Sequence, residues 1–207
     1  GTLTVGGNLD ATTNDNAGVI ELNDLAVDGT IGVVTDGLGN ATIVNDENVN
    51  FAASTVGGDL DATATTGNIS QSGSITVALT TTLETIADDA TITLLDPSNS
   101  FTGAITVATS GTEGDVSIDG GSVTGLDIAA STVGGDLSLL SGNASGITDS
   151  GTLTVGGNLD ATTNDNAGVI ELNDLAVDGT IGVVTDGAGN ATIVNDENVN
   201  FAASTVG

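Results

Sequence analysis

Residues 1–57 recur as residues 151–207 with a single difference, Leu38 against Ala188, so the 207-residue chain has a period of 150. No other feature constrains the fold as strongly. A unit that joins onto a copy of itself is a module of a tandem array. Residues 1–150 are read as one complete repeat, 151–207 as the start of the next, and the whole as an uncapped window on a longer array. A shorter rhythm lies inside the period. Thr-Val-Gly-Gly-(Asn/Asp)-Leu appears at 4–9, 55–60, 132–137 and 154–159, and Thr205-Val206-Gly207 begins another. The spacings of 51, 77 and 22 read as two, three and one units of about 25 residues, within the size range of solenoid repeats. Cuts near residues 3, 25, 54, 74, 101 and 131 then give six coils per period, of unequal length. The surplus residues are assigned to surface loops.

Within each coil, short stretches alternate apolar and polar residues. Ile75-Thr76-Val77, Ile105-Thr106-Val107, Leu126-Asp127-Ile128 and Leu137-Ser138-Leu139 are examples. Such alternation puts the aliphatics on one face of a strand and the polar residue on the other. Gly, Asn, Asp and Ser clusters such as Thr35-Asp36-Gly37 and Asp119-Gly120-Gly121 punctuate the strands as turns do. No stretch carries a sustained helical period. The expectation is an all-β chain, a β-solenoid of the parallel β-helix kind, with coils stacked at about 4.8 Å. A string of β-sandwich domains is the rival, disfavoured because a 22-residue motif interval suits it poorly.

Composition decides whether such a chain folds and what it can bind. There are 28 acidic residues and no Lys, Arg or His, a formal charge of -28, yet 38% of the chain is hydrophobic. That is not the apolar-poor profile of a disordered segment. The aromatics are Phe51, Phe101 and Phe201 alone, so the core consists of small aliphatics. Without cations the chain cannot displace counterions from phosphates, which excludes nucleic acid and anionic membrane surfaces as partners. No run of about 20 apolar residues is present to cross a bilayer as a helix, so membrane insertion is not expected. Acid–base and nucleophilic chemistry would fall to carboxylates and hydroxyls alone.

Several runs carry a resemblance to a known class. Ala90-Thr91-Ile92-Thr93-Leu94, Asn99-Ser100-Phe101-Thr102-Gly103-Ala104-Ile105 and Ser131-Thr132-Val133-Gly134-Gly135-Asp136-Leu137 are three. Gly67-Asn68-Ile69-Ser70-Gln71-Ser72-Gly73, followed by Ser74-Ile75-Thr76-Val77, is a fourth. Together they resemble giant bacterial β-strand-repeat surface proteins, similar in style to filamentous-haemagglutinin and autotransporter passenger β-helices. The resemblance covers most of the chain. It implies an extracellular, β-helical fibre or adhesin and carries no catalytic residues with it.

The acidity suggests cations. Stacking like units is expected to pile like charges above one another and to collect divalent ions, Ca²⁺ suiting clustered carboxylates and carbonyls. Candidate ligands are Asn14, Asp15, Asn16, Asp46, Glu47, Asp88 and Asp89, with Asp165, Asp196 and Glu197 in the second copy. Their spacing fits no calcium-loop signature, so the same residues also read as turn formers, with calcium held diffusely. Asn40-Ala41-Thr42, Asn68-Ile69-Ser70 and Asn143-Ala144-Ser145 match the glycosylation acceptor pattern by chance in so Asn- and Thr-rich a chain. Val-Gly-Gly at 5–7, 56–58 and 133–135 reads as a bend between solenoid faces, not a phosphate loop, since no Lys follows.

The expected function is non-enzymatic: the acidic shaft of an extracellular or cell-surface filament, self-assembling through continuous strand stacking. Its expected partners are copies of itself and divalent cations. The alternative is the stalk of a secreted calcium-dependent adhesin whose tip lies elsewhere. A carboxylate-pair glycosidase is disfavoured by the lack of aromatic sugar platforms, and a Thr-lined, water-ordering face by the unequal coils.

Overall fold

The computed structural model describes residues 1–164 and 167–207, and among them every regular element is a β-strand. All strand pairings are parallel, as in Leu3–Val5 against Ile20–Val27 or Val116–Asp119 against Leu137–Ser141. Two twelve-stranded sheets result. The chain crosses from the first sheet, which begins at Leu3–Val5, to the second, which begins at Leu9–Thr12, and returns once per coil. This is the expected β-solenoid, of about nine turns.

The alternating sequence builds the core directly. Thr81–Thr85 points Thr81, Leu83 and Thr85 inward and leaves Thr82 and Glu84 outside. Apolar residues then stack on apolar residues from coil to coil. On the first sheet Ile43 lies opposite Ala62, Ala62 opposite Leu83 and Leu83 opposite Val107. On the second, Ile69 lies opposite Ile92, Ile92 opposite Val116 and Val116 opposite Leu137. All of these are 0–1% exposed and belong to one continuous core. Burying each larger aliphatic contributes about 1.5–3 kcal/mol.

The coil is shorter than the motif spacing suggests. Ile20 lies opposite Ala41, Ala41 opposite Leu60, Leu60 opposite Thr81, Thr81 opposite Ile105 and Ile105 opposite Ile128. Leu126 then lies opposite Ile147, and Ile147 opposite Ile170. Seven steps, not six, carry Ile20 to its own copy, and successive turns are roughly 22 residues apart. The Thr-Val-Gly-Gly motif misleads because it occurs at both edges of the flattened coil. At 4–9, 132–137 and 154–159 it leads from the first sheet to the second; at 55–60 it leads from the second to the first. Its spacings of 51, 77 and 22 therefore span two and a half, three and a half and one coils.

The glycines of that motif sit where neighbouring turns touch. A Cβ on Gly57 would fall on the carbonyl oxygen of Gly37, and one on Gly134 on that of Gly111. The Val-Gly-Gly segments are thus bends in which only glycine lets one turn lie on the next.

Each coil has a wide face and a narrow one, and the wide face changes sides. It lies on the first sheet at Ile20–Val27, on the second at Val49–Phe51 with Ser54–Val56, and again on the first at Leu126–Ile128 with Ser131–Val133. Where Ile20–Val27 meets the shorter Ala41–Asn45, the last residues of the wide strand lose their ladder partner. Buried Asn45 replaces it: Oδ1 accepts from the Val27 N–H at 2.9 Å, and Nδ2 donates to the carbonyls of Val27 and Asn48 at 3.1 and 2.7 Å. Serine does the same at the breaks in the wide faces. Ser54 accepts the Val33 N–H and Ser131 the Val107 N–H, at 3.1 and 3.0 Å. Without these side chains buried backbone groups would go unpaired, which costs more than an ordinary hydrogen bond returns.

Candidate functional site: the acidic outer faces and turn columns

The outward residues form columns along the solenoid. On the first sheet Glu21 faces Thr42, Thr42 faces Asp61, Asp61 faces Thr82 and Thr82 faces Thr106. Further along, Asp127 faces Thr148, Thr148 faces Glu171 and Glu171 faces Thr192. On the second sheet Asp10 lies over Gly32, and Asp160 between Ser138 and Gly182. Among the described strand pairings no carboxylate lies directly opposite another. Like charges are thus interleaved along these columns instead of piled, while at the end of the strand Ile147–Asp149 the Asp149 carboxylate accepts the N–H groups of Asn173 and Asp174 from the next coil, at 2.9 and 2.8 Å. Carboxylates separated by a hydroxyl or a glycine fall about two strand spacings, or 9.6 Å, apart, close to the screening length at physiological salt. The Thr148 hydroxyl donates to Asp127 at 3.4 Å.

The turns place Asn and Asp where each joins its coil to the next. The Asn8 Oδ1 accepts the Thr30 N–H at 3.0 Å. Asp59 accepts both the N–H and the hydroxyl of Thr80, at 3.0 and 2.6 Å. Asp115 accepts the N–H of Asp136 at 2.8 Å, and Asp136 that of Asn158 at 2.7 Å. Asp115 and Asp136 are thus one stacked acidic pair, confined to a turn. The Thr80 hydroxyl, with its N–H second, holds the Asp59 carboxyl below the usual carboxylate range. Of these ladder residues Asn8, Asp59 and Asp136 occupy the Asn/Asp position of the recurring motif, and Asp115 follows a Glu-Gly in its place. The repetition of that position was visible in the sequence; its role was not, because the partner lies one coil away.

The candidate calcium ligands that the structure describes fall in turns whose hydrogen bonds close the turn itself or tie it to the neighbouring coil. Asn14, Asp15 and Asn16 lie in a turn where the Thr13 hydroxyl donates to the Gly18 carbonyl at 3.0 Å and the Gly18 N–H to that of Asp15 at 2.8 Å. The turn holding Asp46 and Glu47 is tied to the next coil by the Thr66 hydroxyl, which donates to the Asp46 carbonyl at 2.6 Å. Asp88 accepts the Ser110 hydroxyl at 2.8 Å. Asp89, at φ 62, accepts the Glu113 N–H at 3.0 Å. Asp196 donates its N–H to the Leu175 carbonyl, and Glu197 borders a polar recess at the end of the solenoid. Asp165 lies outside the described residues. Among the described residues no group of three or more acidic side chains is arranged to hold a metal ion.

One carboxylate differs from the rest. Asp119 is 7% exposed, at the wall of a polar recess formed with Pro97, Ser122 and Asn164. Burial pushes its carboxyl above the usual value; the Gly121 N–H, 2.8 Å from Oδ1, opposes this, and the nearby Asp96 charge adds to it. With the folded value raised and the unfolded value ordinary, the cost of the ionised side chain is present at neutral pH. It is relieved as pH falls through the folded value. Asp119→Asn keeps an acceptor for Gly121 and is expected to raise the urea midpoint at pH 7. The gain over the parent should shrink as pH falls toward the carboxylate range. A gain independent of pH would show that the ionisation of Asp119 is not its origin.

A family profile described as repeats of unknown function (DUF5649) matches residues 38–108 and 113–185, together more than half of the chain. The matched segments begin 75 residues apart, half of the 150-residue period. The structure explains a unit of that size. Ile69-Ser70-Gln71-Ser72-Gly73 on the second sheet has its counterpart in Ile147-Thr148-Asp149-Ser150-Gly151 on the first. Half a period is three and a half coils, so the unit recurs with its faces exchanged. No curated protein and no solved structure matches the chain.

Proposed function

The chain belongs to this DUF5649 family of repeats, and on that premise we propose that it is a non-enzymatic structural shaft, a segment of an extracellular or cell-surface filament. The observation that carries the reading is the uninterrupted stacking of both sheets, in which turns, faces and core all bond to the next coil. Such a rod gains length by adding coils without needing a new kind of contact. Its flat faces of alternating Thr and carboxylate suit solvation and screening by cations. The carboxylates take up divalent ions as a diffuse counterion layer, since they are spread along the columns and engaged by hydroxyl and amide donors.

Fibre diffraction or cryo-electron microscopy of the native material tests this. The expected result is a meridional spacing near 4.8 Å and a long repeat near 34 Å, the length of seven coils. Both should survive a calcium chelator. A long repeat of about 60–80 Å, or no axial period, would overturn the shaft. Loss of order on chelation would replace the diffuse layer with structural calcium.

A further inference from the structure

Carboxylates are spread unevenly over the two sheets. On the outer face of the second sheet Asn50 faces Ser70, Ser70 faces Thr93, Thr93 faces Ser117 and Ser117 faces Ser138. Beside this row Val34 faces Thr55, and Thr55 faces Thr76. All of these residues are exposed or half-buried, and none is charged. Over the same coils the outer face of the first sheet carries Asp61, Glu84 and Asp127. The edge that leads from the first sheet to the second carries Asp88, Asp89, Glu113 and Asp115.

Two carboxylates border the uncharged row, and neither stands out from it. Asp119 is buried, and half-buried Asp96 accepts the Ser98 N–H of its own turn at 2.9 Å. The row continues onto an uncharged edge. The segments that return from the second sheet to the first at 78–80, 102–104, 120–125 and 142–146 contain no Asp or Glu. Apolar side chains are exposed in this region. Leu79 and Val123 lie on that edge, and Leu95, 54% exposed, directly follows the strand Ile92–Leu94.

We propose that the outer face of the second sheet is a lateral pairing surface for a second copy of this chain. A chain with 28 acidic side chains and no basic ones repels its own copies, and the repulsion is least where two uncharged surfaces meet. A basic partner would be drawn to the acidic columns of the first sheet instead. Hydroxyls both donate and accept, so a row of Ser and Thr is complementary to another row of the same kind. Pairing also takes Leu95 out of water. The uncharged rows extend over five strands about 4.8 Å apart and about five residues of about 3.3 Å, roughly 400 Å². That is about half of what one partner buries in a standard interface, so a single copy pairs weakly and reversibly. The inference rests on where the carboxylates lie and not on an extracellular role.

The test is a sedimentation-equilibrium concentration series on the full chain at low and high sodium chloride, with a chelator present throughout. The expected result is a reversible dimer that tightens as salt screens the net charge. Thr93→Asp combined with Ser117→Asp should weaken it about tenfold or more. Thr82→Asp combined with Thr106→Asp adds the same charge to the first sheet and should weaken it less than about twofold. Each pair occupies outward positions on adjacent strands, so the two double variants cost folding alike. Leu95→Ser should weaken the dimer severalfold with no change of charge. A chain that stays monomeric throughout the series overturns the proposal, as does equal weakening by the two double variants. A monomer retarded by a soluble neutral glucan in affinity electrophoresis also overturns it and gives the face to a polysaccharide. A native filament without axial order would sink the shaft and leave this result untouched.

Discussion

Phe51→Ala is expected to lower the unfolding free energy by about 3–5 kcal/mol, and Phe201→Ala by less than about 1 kcal/mol. The two residues are copies of each other in an identical local sequence. Phe51 is 0% exposed, between Ile31 in one neighbouring coil and Gln71 in the other, whereas Phe201 is 58% exposed on the end coil. Removing the Phe51 ring leaves a cavity inside a stack of short strands that cannot close without shifting the ladder on either side. Removing the Phe201 ring takes away surface that water already reaches. The chain has no Trp or Tyr, so urea unfolding followed by far-ultraviolet circular dichroism is the suitable measurement. Equal losses for the two variants would mean that the end coil is packed as tightly as the middle.

Asn99→Ala is expected to cost about 3 kcal/mol or more, from unpaired groups and not from lost apolar area. Asn99 is 0% exposed and joins three successive coils. Its Oδ1 accepts the Ile75 N–H and the Gln71 Nε2, each at 2.9 Å. Its Nδ2 donates to the Gln71 Oε1 at 2.9 Å and to the Asp119 carbonyl at 3.1 Å. Alanine strands a backbone donor and a backbone acceptor in the interior and takes one partner from each end of the Gln71 amide, which is left with the Gly73 carbonyl and the Asp96 N–H. In the double variant with Gln71→Leu, the bonds between the two amides are already gone, so the two losses should be less than additive. Strict additivity in the same urea experiment would show that the two amides do not act as one network.

The strands themselves were legible because a parallel solenoid writes its inside and outside into every short segment. Ile75-Thr76-Val77 and Leu137-Ser138-Leu139 point the same way in the sequence and in space. The Val-Gly-Gly bends were legible as well, since close stacking leaves room for nothing larger. The polar interior was not. Nothing local distinguishes buried Asn45 or Asn99 from the Asn residues of exposed turns, because what buries them is the change of strand length between neighbouring coils. Among the described residues the acidic candidates do not gather into a cluster, for a related reason. Adjacency in sequence, as in Asp88-Asp89, spreads side chains along a turn, while the groups that meet them, Ser110 and Glu113, come from the coil above.

From its residues alone the chain is determined to be repetitive, all-β, built on small aliphatics and without the cations that nucleic acid requires. These properties depend only on composition and on which side of a strand each residue takes. The tertiary structure decided the rest: seven coils instead of six, a wide face that changes sheets, and carboxylates kept apart along the columns. Alternation specifies inward against outward but is the same for either sheet. The two edges of a flattened coil can then carry the same motif, and half a coil leaves no mark in the sequence until the strands are paired.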